Sequence, residues 1–412
     1  SWRPSATPCT LSYMSTTVAV RLDESLREAV EVRAQARNVE NWFIPAVGGT
    51  AKGTTEAAAV AGFHRAVCRV PPLFMCNPTE TVANQGQPID WTNLAGKQAL
   101  LKAQANLANQ QQGSGNGAAW APGDFGLLQT PAGNGNTAIA EQLGTTQPLG
   151  CNDGAVDLGP GQMNVAQGLN VRFDMYTQHF ESKKNDLIFR PSQTVIKGLR
   201  RDGSQWVEEP GWAKLGRDTC FASGTCSANN RLGNGVWDFT GYWNANHRSR
   251  TPNAPLPIPP QLTGNPSRYA VYRYEMEFNQ IPYKPQGNNP APRSTGEEGH
   301  TTEWNGPALI LSCGAVPNTL DPNCDTPEEV YDNYDRRLLI VAVVNCIANV
   351  ALLGGSANDV PVDSYAQVFV TEAMKDDTGN SNKEIWAEMV GPVAAGSMLE
   401  KAVVKDTVQL YR

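Results

Sequence analysis

The chain has 412 residues, a formal net charge of -7 and a charged fraction of 18%, with Lys and Arg scattered along it, so no basic footprint for nucleic acid or an anionic membrane surface is present. Its length allows one large or two ordinary domains, and ten tryptophans provide for a substantial core. Abundant Gly and Pro with Asn- and Gln-rich loops suit a secreted or surface protein better than a cytosolic enzyme.

The nine cysteines are Cys9, Cys68, Cys76, Cys151, Cys220, Cys226, Cys313, Cys324 and Cys346, none of them in C-x-x-C spacing. With only four histidines, a zinc site or redox motif is a poor account, and disulfides in an oxidising compartment are a better one. The structural disulfide candidates are Cys220 and Cys226 in TCFASGTC, Cys313 and Cys324, and Cys68 and Cys76, which pin the segment between them. The odd count leaves at least one thiol over or bonded elsewhere. Neither a signal peptide nor a membrane-spanning run is found, and the opening Ser1-Trp2-Arg3-Pro4 lacks Met, which reads as a processed or truncated product.

In chain order, alternation over Thr17–Arg21, Val30–Arg37 and Thr54–Val60 predicts strands, with a short helix over Glu40–Val47 closed by Gly48-Gly49. Residues 1–66 thus form a β-rich N-terminal module, followed by a main α+β domain over 67–412. The tandem prolines of VCRVPPLFMCNP (Val67–Pro78) forbid a long helix there. By propensity Leu94–Gln112 is a helix that dissolves into a flexible Gly113–Gly117 stretch. WAPGDFGLL (Trp120–Leu128) reads as turn plus strand, and Thr137–Leu143 and Gln162–Val171 as helices. Residues of about 177–304 form a long irregular, disulfide-stapled Trp-, Pro- and Gly-rich insertion, within which Arg268–Glu275 looks strand-like. Thr326-Pro327-Glu328-Glu329 caps a helix running toward Arg336.

Next comes RRLLIVAVVNC (Arg336–Cys346), whose unbroken apolar run Leu338–Val344 predicts a strand buried on both faces. Asn345 and Cys346 at its end read as structural groups, the sulfur packed or bridged. Ala366–Thr371 and Glu384–Val390 follow as alternating strands. The predicted fold class is α+β, a mixed β-sheet with flanking helices whose central buried strand is about 338–346.

Several constellations compete with plainer readings. Asp321, Asn323 and Asp325 imitate half of a calcium loop, but Thr326 stands where that loop needs Gly, and a turn with a helix cap explains the same residues. Trp237, Tyr242, Trp243 and His247 are a candidate interaction surface or glycan platform, with His247 and Asp238 as a candidate acid/base pair. The plainer reading is a small satellite core beneath the loop. Glu372 and Glu388 are a candidate carboxylate pair. No nucleophile elbow, P-loop, zincin helix or dinucleotide fingerprint occurs, so no catalytic, cofactor or metal residues are assigned.

Taken in order, NWFIPAVGG (Asn41–Gly49), VCRVPPLFMCNP, WAPGDFGLL, LNVRFDMY (Leu169–Tyr176), GNGVWDFTGYWNANH (Gly233–His247), RYAVYRYE (Arg268–Glu275), RRLLIVAVVNCIA (Arg336–Ala348), VPVDSYAQVFVTEAM (Val360–Met374) and EIWAEMVG (Glu384–Gly391) resemble the TadE/TadG-like proteins of the tight-adherence (Flp) pilus machinery, in the alphaproteobacterial form. The resemblance covers nearly the whole chain. It implies a non-enzymatic structural or assembly protein in the periplasm or at the cell surface, working with other pilus-assembly or surface proteins. Membrane attachment would come only through an N-terminal helix that the 412 residues lack, and the metal-adhesion motif of larger relatives is absent. Self-association through strand edges or the insertion gives a homo-oligomer. The alternatives are a secreted carbohydrate-binding protein or glycoside hydrolase using the aromatic insertion, and a self-assembling surface filament subunit.

Overall fold

A computed structural model describes residues 10–13, 16–22, 29–40, 52–103, 122–133, 135–152, 155–157, 165–192, 197–202, 205–208, 213–249, 254–277, 303–306, 335–353, 358–374, 384–393 and 398–411. The chain divides into two compact units, Ser1–Ala66 with Val404–Arg412, and Val67–Val403. In the first, β1 (Thr10–Tyr13), β2 (Thr16–Leu22), β3 (Ala29–Glu40) and β4 (Lys52–Cys68) lie side by side in sequence order, and the C-terminal strand Val404–Tyr411 adds beside β4. Register explains the alternation: Val20 stands opposite Val32 and Val32 opposite Ala59, while Arg21 stands opposite Glu31 in the intervening row.

In chain order the second unit contributes β5 (Leu73–Cys76), β6 (Gln98–Ala103), β7 (Asp124–Leu127), β8 (Cys151–Asn152), β9 (Ala155–Val156), β10 (Leu199–Asp202), β11 (Gln205–Glu208), β12 (Leu338–Val344), β13 (Val360–Pro361), β14 (Ser364–Val370) and β15 (Glu384–Pro392). Its helices are α1 (Asn136–Gly144), α2 (Val165–Val171), α3 (Thr219–Ser223), α4 (Ser227–Asn230), α5 (Phe239–Asn246), α6 (Arg268–Glu277) and α7 (Met398–Val403). The fold is α+β. Its mixed sheet curls into a closed barrel in the order β12-β14-β15-β6-β7-β5. The β6–β7 and β5–β12 pairs are parallel and the other four antiparallel.

Alternate residues of all six strands meet in one apolar cluster: Leu73 and Met75, Ala99 and Leu101, Phe125 and Leu127, then the corresponding residues of β12, β14 and β15. Residues from every strand of a closed barrel can share a cluster only in its interior, so this set fills the barrel. The intervening residues of β12 face outward and are equally dry. Leu338 joins the aromatic residues of α5 and α6, and Ala342 and Val344 join Phe74, Cys76, Val156 and Val360. All seven residues of Leu338–Val344 are buried, so the uniform apolar run is satisfied on both faces.

Three elements differ from the sequence reading or refine it. Leu94–Gln112 is not a helix where it is described; Gln98–Ala103 is strand β6, because pairing with β15 and β7 closes the barrel and outweighs an Ala- and Leu-rich propensity. Arg268–Glu275 is not a strand but lies within α6. Its four most buried residues, Arg268, Val271, Tyr272 and Glu275, follow the helical i, i+3, i+4, i+7 spacing. The insertion is less a loose elaboration than an outer wall, since its Trp237, Tyr242 and Tyr272 pack with Leu338 and Phe369 of the barrel. The helices over Thr137–Leu143 and Val165–Val171 and the strands β7, β14 and β15 lie where the patterning put them. The helix read beyond Glu40, the Gly113–Gly117 stretch, the helix from Thr326, and Asp321–Asp325 lie outside the described residues.

Three disulfides are present: Cys68–Cys151, Cys76–Cys346 and Cys220–Cys226. The local Cys220–Cys226 pair is as expected, but Cys68 and Cys76 do not pair with each other. Cys68 stands opposite Cys151 in the β4–β8 register, and Cys76 stands opposite Val344, two residues before Cys346, in the parallel β5–β12 register. Cys9, Cys313 and Cys324 lie outside the described residues. These bonds are consistent with an oxidising, extracytoplasmic compartment. Among the described residues no helix is long and apolar enough to cross a membrane.

Two outcomes are expected. Val343→Asp puts an unpaired carboxylate in the barrel interior at a cost of at least several kcal/mol, so it should eliminate the soluble folded fraction; recovery of a normal melting curve would show that the core lies elsewhere. Cys346→Ser opens a loop closed across 270 residues and should lower stability by roughly 2–5 kcal/mol, read as a lower urea midpoint than the oxidised parent.

Candidate functional site

The aromatic cluster nominated from sequence is interior. Trp237, Tyr242, Trp243 and His247 are each no more than 4% exposed. The indole of Trp237 donates to Pro266 O at 2.8 Å and that of Trp243 to Leu256 O at 2.9 Å, so both polar edges are bound within the protein. His247 follows α5 and stacks on Trp243 at 3.6 Å, with its Nε2 2.9 Å from Glu275 Oε1. The Tyr242 hydroxyl donates to the same oxygen at 2.8 Å. Asp238 is not the partner of His247; its carboxylate caps α5 by accepting from Gly241 N at 2.8 Å. The four residues form the satellite core, not an interaction surface, because their rings cover the outer face of the barrel.

Glu372 and Glu388 do not form a carboxylate pair either. Glu372 binds Arg217 at 2.7 Å and Lys214 at 2.9 Å near the surface. Glu388 is fully buried and accepts from the backbone N–H groups of Arg268 and Tyr269 at 2.7 and 2.9 Å, capping the start of α6 from the barrel wall. The Arg268 guanidinium lies between it and Asp218, at 3.2 and 2.6 Å. Asp218 in turn accepts from Gln98 N and Gly235 N. One ion cluster therefore joins β6, β15, α6 and the insertion. Burial pushes the Glu388 carboxyl above its ordinary range, with Arg268 opposing the shift.

The arginines ahead of β12 are also interior. Arg336 donates to the carbonyls of Arg190 and Thr145 at 2.9 and 2.8 Å, and Arg337 to those of Val370 and Thr371 at 3.0 Å each. The Arg337 guanidinium packs on the rings of Phe173 and Phe369 at 4.7 and 4.6 Å. Burial, reinforced by Arg172 and Arg190, pulls the Arg336 pKa well below its usual value.

A third buried cluster joins three distant segments. Lys197 Nζ is 3.4 Å from Asp174 Oδ2, and Asp174 also accepts from the backbone N–H groups of Glu303 and Trp304. Sequence reading missed Arg268, Asp218, Asp174, Lys197 and Glu303, since a charged residue in a loop or mixed segment carries no sign of its burial.

A polar cleft of about 310 Å³ lies beside the Cys68–Cys151 bond, lined by Gln129, Thr130, Asn152, Asp157 and Asp359 among others. Asp359 N donates to Asp157 Oδ1 at 2.9 Å, so these groups organise the loop backbone. Among the described residues no group of three or more His, Cys, Asp or Glu side chains could hold a metal ion.

The Glu388 shift sets a pH dependence. The folded chain holds this proton more tightly than the unfolded chain, so its contribution to stability is greatest at low pH and is lost as pH rises through the raised value. Glu388→Gln removes that dependence, so its melting temperature relative to the parent should move in the variant's favour between about pH 4 and about pH 8. Drift in the opposite direction would mean that the ionised form is the better bound. No protein-family model, curated protein or solved structure matches the chain.

Proposed function

We propose that the chain is a non-enzymatic, extracytoplasmic structural or assembly protein of the TadE/TadG-like type, serving a tight-adherence pilus or a related surface adhesion apparatus. The observation that carries this reading is where the resembling segments fall. Val67–Pro78, Arg336–Ala348, Val360–Met374 and Glu384–Gly391 supply β5, β12, β14 and β15, and the Cys76–Cys346 bond joins the first two segments. Four of the resembling segments thus build a framework whose charged groups are bound to one another and to backbone, which suits a load-bearing part. Its partners on this reading are other pilus-assembly or surface proteins. The carbohydrate-binding or glycosidase alternative loses its motivation, because Trp237, Tyr242 and Trp243 are buried against the protein's own backbone and side chains.

The test is deletion of the gene in its source organism, with surface pili counted by electron microscopy and adhesion measured in parallel. Loss of pili and adhesion, restored by the parent chain and poorly by Cys346→Ser, is the expected result. Undiminished pili, or native protein recovered from the cytoplasm with every cysteine reduced, would overturn the proposal. Regular filaments built of this chain alone would replace it with the filament-subunit reading.

A further inference from the structure

Asp174, Lys197 and Glu303 meet in the interior although they come from the turn after α2, the residue just before the segment leading to β10, and the segment 303–306. The side chain of Lys197 is 0% exposed and that of Asp174 7%. Nζ donates to the Asp174 carbonyl at 2.7 Å, which holds it 3.4 Å from Oδ2. The amine is thereby fixed beside the carboxyl group whose carbon it would attack. The other side of the carboxyl group is equally ordered, with Oδ2 accepting from Glu303 N at 3.0 Å and Oδ1 from Trp304 N at 2.8 Å. Asp174 is itself in the left-handed region, at φ 55°. The Trp206 ring lies 4.6 Å from Nζ, and Tyr176 stacks with Trp304 nearby, so the wall of the site is aromatic. Glu303 is 8% exposed; its Oε2 accepts from Tyr176 N at 2.8 Å, and its charge acts on Lys197.

We propose that Lys197 and Asp174 condense spontaneously into an intramolecular amide, an isopeptide bond, with Glu303 carrying the proton.

The chemistry needs a neutral amine and a protonated carboxyl group, and burial favours both forms here. It pushes Lys197 down and Asp174 up, in each case as the largest influence. The Nζ lone pair attacks Asp174 Cγ, and the new C–N bond puts negative charge on Oδ1, where the backbone N–H donors of Glu303 and Trp304 already converge at 3.2 and 2.8 Å, while Oδ2 carries the hydroxyl proton. Glu303 takes a proton from the nitrogen and delivers it to the hydroxyl group, whose C–O bond breaks as water leaves. One amine and one carboxylic acid become one amide and one water, with no oxidant, metal or cofactor required. The product removes two buried ionisable groups, whose charged forms are costly away from solvent. Enforced proximity supplies the effective concentration that such a condensation lacks in water.

The decisive measurement is mass spectrometry of the purified full chain after reduction and denaturation, so that the disulfides no longer affect the mass. The expected mass is one water below that of the sequence. Trypsin should fail to cut after Lys197 and should yield a branched peptide joining the segments that contain Asp174 and Lys197. Full mass together with tryptic cleavage after Lys197 would overturn the proposal in the unmutated protein, without reliance on any variant. Glu303→Gln, checked for a parental circular dichroism spectrum, should form the branched peptide about a hundredfold or more slowly. Cross-linking by that variant at the parental rate would remove Glu303 from the mechanism. None of these results depends on the pilus reading.

Discussion

Full dehydration of both faces of one strand is the constraint on which the rest of the molecule depends. In Leu338–Val344, Leu339, Val341 and Val343 go to the barrel interior, while Leu338, Ala342 and Val344 require apolar cover from outside. Six strands suffice for the first demand, because an interior of this size is filled by side chains alone. The second has to be met by other parts of the chain, and it is: α5 and α6 cover one end of the strand and the β9–β13 pair covers the other. The irregular insertion follows from that demand, since a half-exposed central strand would leave its outward apolar residues in water.

Cover of this kind brings charges inside, and each buried ion near the barrel has a structural job. Glu388 on β15 terminates α6 by taking its first backbone N–H groups, and Arg268 at the first turn of α6 reaches back to Glu388 and across to Asp218. An apolar contact tolerates sliding, whereas this arrangement has one geometry. Breaking such a cluster from one side leaves an uncompensated charge, which is far more damaging than never having had the cluster. The ions therefore select a single docking of wall on barrel more than they add to stability.

The parts of this design that were legible in the sequence are those governed by local pattern. The apolar run of β12, the alternation of β14 and β15 and the periodicity of α1 each state their own environment. Failures came where distant partners decide. Gln98–Ala103 has helical composition but lies between β15 and β7, so pairing prevails. In RYAVYRYE, aromatic and charged residues alternate closely enough to imitate a strand, and only burial at Arg268, Val271, Tyr272 and Glu275 exposes the helical period. Cys220 and Cys226 are neighbours in sequence and are bonded; Cys68 and Cys76 are also neighbours, yet β4 and β5 carry them to separate partners. The candidate site fared worst. Trp237, Tyr242, Trp243 and His247 were identifiable as a group, but whether such a group faces solvent or the barrel depends on Leu338 and Phe369, far along the chain.

The parallel pairing of β5 with β12 also dictates when the barrel can exist. Phe74 finds Gly126 of β7 on one side but must wait for Ala342 to be made before its other side has a neighbour, and the intervening chain includes β6, β7 and the whole outer wall. At ordinary synthesis rates this interval is on the order of tens of seconds, during which the early strands have open edges and no interior. Long-range pairings of this kind are slow to form, because the chain entropy is lost before the contacts repay it. The molecule is therefore closed from its C-terminal quarter, and a nascent chain that stalls before that quarter has no barrel to fall back on.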